Sequence, residues 1–418
     1  MPRSEPIKAV RGVRDILPGQ RRLWRAAERS AAEVAERFGY EEIVTPIIES
    51  AELIERAGED TDAFAKELYR FVDRGDRAIA LRPEATAGVV RAYFEHGMDR
   101  GPQPSRLYLF GPMFRYDRPQ KGRYRQFFQL DVEAIGSAGP ALDAEVIEIA
   151  RDWLGRLGVG DLRLELNSIG DRRCRPAYLE LLKAYYRPLR ERLSGESQHR
   201  LERNPLRLLD SKAEQDAEFK ARAPRITDHL CDECAAHWSA VQQLLDAAGI
   251  GYVLNPHLVR GLDYYTRTVF ELFPGGASGQ QDALAGGGRY DGLAEAEGWA
   301  PTPAVGFASG LDRVTELIAA RGAEGYDRSP AEVVVLPEGE LDVAAAELAR
   351  LCRAVTSVAV DYESRSLESK MRSANKRGAK WVVLLSGDEA SRRVARLRDM
   401  ARREQVEVSW EQLPERLA

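Results

Sequence analysis

The sequence predicts an α+β domain built on an antiparallel sheet flanked by helices and carrying a helical insertion. A C-terminal α/β domain with a small, mostly parallel sheet follows. Three observations carry this expectation. Residues 107–114 and 126–135 read as strands joined by a polar loop with Pro119 and Gly122, a long antiparallel hairpin. From Arg175 to about Gly249 the strand signal gives way to charged helical pattern punctuated by Pro and Gly. After residue 330 the chain alternates strand 332–336, helix 342–355, strand 357–362, helix 366–377 and strand 380–385, the βαβαβ order of a small parallel sheet. The boundaries read as 1–325, with the insertion at about 175–249, and 330–418.

At 418 residues two or more domains are expected, and 44% hydrophobic residues suffice for real cores. A net charge of −5 excludes a chain that coats nucleic acid by bulk charge, so any such contact uses a local patch. Cys174, Cys231, Cys234 and Cys352 are too few and too scattered for a disulfide framework, which points to a reducing compartment. The N-terminus lacks the apolar run of a signal peptide, and no stretch approaches the ~20 apolar residues of a membrane span. A soluble, cytoplasmic protein with no membrane partner is expected.

Taken in order, residues 8–18 form a basic leading segment. Leu23, Trp24, Ala27, Ala31, Val34, Ala35 and Phe38 recur at helical steps over 20–38, and Gly39 stops that helix. Residues 41–50, EEIVTPIIES, read as a strand broken by Pro46, which marks an edge. A short strand at 78–81 leads into a helix at 86–96. After the hairpin come a helix at 143–157 and a strand at 162–167. Strands resume near 250 and over 263–273, residues 274–288 read as a flexible Gly-rich loop, and 306–319 is a helix.

The chemistry centres on the hairpin. Along its second strand Phe128, Leu130, Val132 and Ala134 share one face, and Gln129, Asp131 and Glu133 the other. Its loop sets Arg115, Arg118, Lys121, Arg123 and Arg125 against a single Asp117. Arginine forks suit phosphate and carboxylate, so cations for phosphate lie one hairpin away from anions for an ammonium or imidazole. A second anchor is 257–271, HLVRGLDYYTRTVFE. Regular alternation puts Arg260 and Tyr265 on opposite faces; they converge only if the strand begins after Gly261. The third is GGGRYDGL, 286–293, with GFASGLDR, 306–313, where Arg313 falls in an early helical turn whose dipole adds positive potential.

Together these residues resemble one family. FRYDRPQKGRYRQF looks like motif 2 of the class II aminoacyl-tRNA synthetases, GFASGLDR like motif 3, and the first helix plus VTPIIE like the dimer-forming motif 1. LRPEATAG, LVRGLDYYTRTVFE and GGGRYDGL resemble the histidyl-tRNA synthetases in particular, as do RGVRDILP, NPLRLLDSK and the C-terminal domain, similar to a class IIa anticodon-binding domain. The resemblance implies a histidine–tRNA ligase that uses ATP and Mg²⁺ to activate L-histidine and charges tRNA(His) as a homodimer. By position it implies that Arg115 binds the α-phosphate, with Asp117 also contacting ATP. Arg123 and Arg313 clamp the triphosphate, and Tyr124 lies near the adenine. Glu84, Thr86 and Gln129 hold the α-amino group, and Glu133 and Tyr265 the imidazole. Arg260 bridges carboxylate and α-phosphate, and Tyr290 lines the pocket. Motif 2 of the family commonly reads FRHERP, Phe128 and Asp131–Val132 replace His and Gly-Cys, and Asp312 replaces a glutamate, a change that bears on metal binding. The alternative is a catalytically silent regulatory subunit of histidine biosynthesis. Such paralogues typically lack the C-terminal domain and lose active-site arginines, which this chain keeps.

Two further groups stand out. His229, Cys231, Cys234 and His237 form HxCxxCxxH, but nine positions of helical-looking sequence can hardly close tetrahedrally, so a surface or packing role is expected and no protein metal ligand is assigned. Cys174 and Cys352 read as small buried apolar residues. Arg365, Lys370, Arg372, Lys376, Arg377 and Lys380 oppose only Glu368 and read as an RNA-facing patch.

Overall fold

A computed structural model describes residues 7–58, 67–117, 123–262, 264–277, 282–322 and 331–418. Arg118, Pro119, Lys121 and Gly122 of the hairpin loop lie outside the described residues. The chain divides into two compact units, Met1–Gly322 and Ala323–Ala418.

In the first unit the strands are β1 (Glu41–Glu42), β2 (Ile48–Ser50), β3 (Tyr69–Val72), β4 (Ala78–Leu81), β5 (Ser105–Phe114), β6 (Gln126–Ile135), β7 (Leu162–Ser168), β8 (Val253–Leu254), β9 (Thr266–Pro274), β10 (Ala285–Arg289) and β11 (Ala304–Gly310). Among the described residues, eight of them form one sheet in the order β1-β5-β6-β11-β10-β9-β7-β8. The run from β5 to β7 is antiparallel throughout; β1 joins β5, and β8 joins β7, in parallel. The 41–50 stretch is two strands rather than one. β1 lies at the edge of the large sheet and β2 enters a small β2-β4-β3 sheet, with Pro46, which has no N–H to donate, between them.

Helix Pro18–Arg37 buries Leu23, Trp24, Ala27, Ala31, Val34 and Ala35, the residues its periodicity marks. Parallel pairing of β7 with β8 demands a crossover, and helix Asp232–Ala247 supplies it, packing on helix Pro140–Arg156. The segment with its own core is therefore shorter than 175–249. Tyr178, Leu182, Tyr186, Leu201, Phe219 and Ile226 form that core, which runs on into Leu258, Val259 and Tyr265.

A buried polar cluster around Asp143 holds this unit together. Arg289 is fully buried and donates to Asp143 through Nη2 at 2.7 Å and Nε at 2.9 Å, and to the carbonyls of Ser137 and Gly139. His237 Nε2 reaches the other side of Asp143 at 3.1 Å. His237 is thus a packing residue, as expected, and Arg289 was not foreseen. Glu297, in contrast, is buried with neither carboxylate oxygen hydrogen-bonded, and burial, helped by Glu84, pushes it up to about 9. The folded chain then holds a proton that the unfolded chain releases near 4.5, so this group's stability is complete below that pH and is lost progressively up to about 9. Glu297→Gln is expected to be the more stable protein by roughly 1–3 kcal/mol at pH 7 and equal to wild type near pH 4.5. Urea midpoints across that range check this, and a constant difference at all pH values contradicts it.

The second unit has β12 (Val333–Pro337), β13 (Val358–Val360), β14 (Trp381–Leu385), β15 (Val394–Asp399) and β16 (Gln405–Ser409), in the order β13-β12-β14-β15-β16. The sheet is parallel among β13, β12 and β14, and an antiparallel pair, β15 and β16, extends it. β15 hides in an arginine-rich stretch: Ala395 and Leu397 face the core while Arg396 pairs with Glu338 and Glu389. Lys370 is also not where the charge pattern puts it. It is buried and donates to the Pro337 carbonyl at 2.8 Å, which removes it from any RNA-facing patch. Arg365, Arg372, Lys376, Arg377 and Lys380 remain exposed.

Candidate active site

The site is built on the polar face of β6, and the flanking strands make room for it. Gly306 of β11 pairs opposite Glu133, and a Cβ there would sit 1.8 Å from Glu133 Oε2. Gln129 is flanked by Gly111 of β5 and Gly310 of β11. The three polar side chains are not a solvated face. Asp131 and Glu133 are almost wholly buried, and Gln129 Oε1 and both oxygens of Asp131 meet no hydrogen-bond partner. Burial, first of all, raises both carboxyls well above the ordinary range.

Glu133 accepts from Thr86 Oγ1 at 2.7 Å and from the Tyr290 hydroxyl. Glu84 accepts from the backbone N–H groups of Thr86 at 2.7 Å and Ala87 at 3.0 Å, closing the N-terminus of helix Thr86–Glu95, where a carboxylate is stabilised. Tyr264 donates to Glu84 at 3.5 Å. Tyr290, expected only to line the pocket, is Glu133's phenol partner.

Tyr265 lies beside Arg260, whose Cζ is 5.6 Å from the ring centre. This resolves the question the sequence left open. β9 begins at Thr266, so regular alternation does not apply across Gly261, and the two side chains converge. Arg260 also pairs with Glu271 and lies against Gly286, where a Cβ would stand 2.4 Å from Nη1. The GGG run is accordingly buried strand β10 rather than loop, and its missing side chains admit an arginine and the neighbouring backbone.

Beside this buried cluster opens a cavity of about 660 Å³ lined by Arg115, Asp117, Arg123, Tyr124, Gln129, Arg260 and Arg313 among others. Arg115 is anchored by donating from Nε to the Pro83 carbonyl at 2.9 Å, and Arg123 pairs with Asp117 at 2.9 Å. Arg313 donates to the Ala283 carbonyl; burial, and then repulsion from Arg123, holds its guanidinium below the usual arginine range. Two cations that repel in a half-closed cavity are set for a polyanion.

The sequence reading missed part of this cavity's lining and the contacts that hold Tyr124 and Asp312 in it. Arg14 donates to Asp312 at 2.7 Å and to Glu316 at 3.2 Å, and its guanidinium stacks 4.0 Å from the Tyr124 ring centre. Asp312 also accepts from the Phe128 N–H at 2.8 Å, so it ties motif 3 to β6. Glu196, Arg200 and Arg207 of the insertion reach the wall as well. The NPLRLLDSK stretch, which contains Arg207, was the one signal available for them.

The family profile described as Histidyl-tRNA synthetase matches residues 12–314, and that described as Anticodon binding domain matches residues 332–418. The histidine–tRNA ligase of Moorella thermoacetica is 47% identical over 401 residues, 95% of each chain, and that of Anaeromyxobacter dehalogenans 44% identical over 415 residues, 99% of each. The crystal structure of apo histidyl-tRNA synthetase from S. aureus superposes with a TM-score of 0.82 at 36% identity, covering 99% of this chain and 100% of that one. Sequence, fold and cavity agree, and the chain belongs to the histidyl-tRNA synthetase family.

Proposed function

We propose that the chain is a histidine–tRNA ligase: it joins L-histidine to ATP as histidyl-adenylate, releasing pyrophosphate, then transfers histidine to the 3′ end of tRNA(His). The observation that carries this reading is the buried Glu133, held by Thr86 and Tyr290 and next to a cavity ringed by Arg115, Arg123, Arg260 and Arg313. Glu133 receives an imidazole N–H. Tyr265 serves the ring's other nitrogen, since neutral imidazole has one donor and one acceptor. Glu84, Thr86 and Gln129 receive the α-ammonium, and Asp131 adds a carboxylate on the same strand face. Arg115 and Arg260 neutralise the α-phosphate as the substrate carboxylate attacks it in line, a step that needs positioning and charge stabilisation more than covalent help. Arg123 and Arg313 hold the remaining phosphates over Tyr124, with Asp117 fixing Arg123. ATP enters as its Mg²⁺ complex, because Mg²⁺ is carried largely by phosphates and water. Charging of tRNA(His) with labelled histidine tests the reading, and the absence of charging contradicts it.

The division of labour follows from modularity. Deleting residues 330–418 is expected to leave histidine activation largely intact and to weaken tRNA charging severely. Loss of both activities together, in a truncation shown by circular dichroism to be folded, contradicts it. A homodimer is proposed as well. β1 is an exposed two-residue edge of the large sheet, which a twin can cover. Sedimentation velocity at micromolar concentration is expected to give a dimer, and a stable monomer contradicts it. Among the described residues no helix is long and apolar enough to cross a membrane.

A further inference from the structure

The HxCxxCxxH stretch does not stay together. His237 turns to Asp143 and His229 is exposed, while Cys231 and Cys234 meet a second pair of residues from the other end of the insertion. The donor atoms of Asp171, Cys174, Cys231 and Cys234 all lie within 4.8 Å of one another. We propose that these four residues bind a structural zinc ion that pins the exit and return of the insertion to the sheet.

The donor set fits. Three thiolates select a soft, borderline ion, and four protein ligands with no open position mark a structural rather than catalytic site. Zinc bonds of about 2.0–2.3 Å require donors roughly 3.5 Å apart at a tetrahedron's edge. Cys174 Sγ and Asp171 Oδ1 are 3.7 Å apart. The sequence pattern is DRRC and CDEC, two pairs each separated by two residues, the spacing of a metal-binding turn.

The surroundings are built for the ligands. Cys174 and Cys231 each immediately precede a helix, Arg175–Tyr186 and Asp232–Ala247, where the dipole favours thiolate. The Asp171 N–H points at Cys174 Sγ at 3.4 Å, and the Arg173 N–H fixes Asp171 Oδ1 at 2.9 Å. Gly170 has φ +63°, and a Cβ there would stand 2.7 Å from Cys174 Sγ. Arg267 reaches Asp171 at 3.3 Å and offsets the excess negative charge of three thiolates and a carboxylate. Cys174 and Cys234 are buried, Cys231 is half-buried, and all three are free thiols.

The site has a mechanical consequence. Arg267 exchanges backbone hydrogen bonds with Ile169 and Gly170, and Arg175 donates to the carbonyls of Ile169, Gly170 and Tyr265. An ion at this knot therefore fixes the base of the insertion two residues from Tyr265, and through it the wall bearing Glu196, Arg200 and Arg207.

The test is the metal content of the full-length protein, purified reduced and without chelator, by inductively coupled plasma mass spectrometry. One zinc per chain is expected, lost in the Cys231→Ser/Cys234→Ser double variant and retained in Cys352→Ser and His229→Ala. Replacing zinc with Co²⁺ should give thiolate-to-cobalt charge transfer and the intense visible bands of a tetrahedral centre, a readout that does not depend on the variants folding. Only trace zinc in the wild type after reconstitution with zinc under reducing conditions overturns the proposal. So does undiminished zinc in the double variant, loss of zinc in His229→Ala, or a Cys231–Cys234 disulfide in freshly isolated protein.

Discussion

Arg260→Ala is expected to slow histidyl-adenylate formation by ~10²–10³, the usual loss when one preorganised charge-stabilising donor is removed. The guanidinium is already in place without substrate. Glu271 holds it from β9, Gly286 leaves it space, and the Tyr265 ring lies beneath it. Because it acts on charge that develops during attack, the loss should fall on kcat, while the KM for histidine changes much less. Arg260→Lys should recover only part of the rate, since a point charge lacks the fork. Pre-steady-state adenylate formation measures this, and a rate within error of wild type removes Arg260 from the chemical step.

Glu133→Gln is expected to keep the fold and to lower kcat/KM for histidine by about 10–100-fold, the value of a hydrogen bond to a charged group at ~1.5–3 kcal/mol. The mutation is nearly isosteric: of Thr86 and Tyr290, which donate to different Glu133 oxygens, one hydroxyl can still donate to the amide oxygen and the other can turn to accept from the amide N–H. What it removes is a carboxylate that burial has pushed well above the ordinary glutamate range. A raised carboxyl pKa means that low pH keeps Glu133 protonated and unable to favour an imidazole N–H. Histidine binding to wild type should therefore tighten as pH rises through the Glu133 titration, and the glutamine variant should lose that dependence. Exchange kinetics from pH 6 to 8.5 read both effects. Unchanged KM and kcat throughout that range separate Glu133 from the imidazole. The same pairing accounts for selectivity: an apolar side chain leaves a buried carboxylate without its partner, a penalty that can reject wrong ligands by ~10⁴–10⁵ without an editing site.

What was legible in the sequence and what was not divides by range. The Gln129, Asp131, Glu133 face follows from the two-residue period of a strand, so it could be read from ten residues. That this face is buried could not, because burial depends on helix Thr86–Glu95 and on glycines of two other strands. Arg260 and Tyr265 converge because β9 starts later than its apolar pattern suggests, a boundary that tertiary packing decides. Arg14 reaches Asp312 across 298 positions, and no local periodicity encodes such a contact. β15 was hidden because its outward face carries Arg396 and Arg398, and the pairing of Arg396 with Glu338 and Glu389 comes from other elements. Asp171 and Cys174 were invisible as partners of Cys231 and Cys234 because some sixty residues of helix separate two halves of one cluster.

Histidine-dependent ATP–pyrophosphate exchange by the purified wild-type chain tests the central claim most directly. Each standard amino acid is supplied in turn with ATP, Mg²⁺ and labelled pyrophosphate. The account predicts exchange with L-histidine that saturates and is slowed ~10²–10³-fold by Arg260→Ala, and background exchange with every other amino acid. No exchange with histidine, or equal exchange with another amino acid, would contradict it.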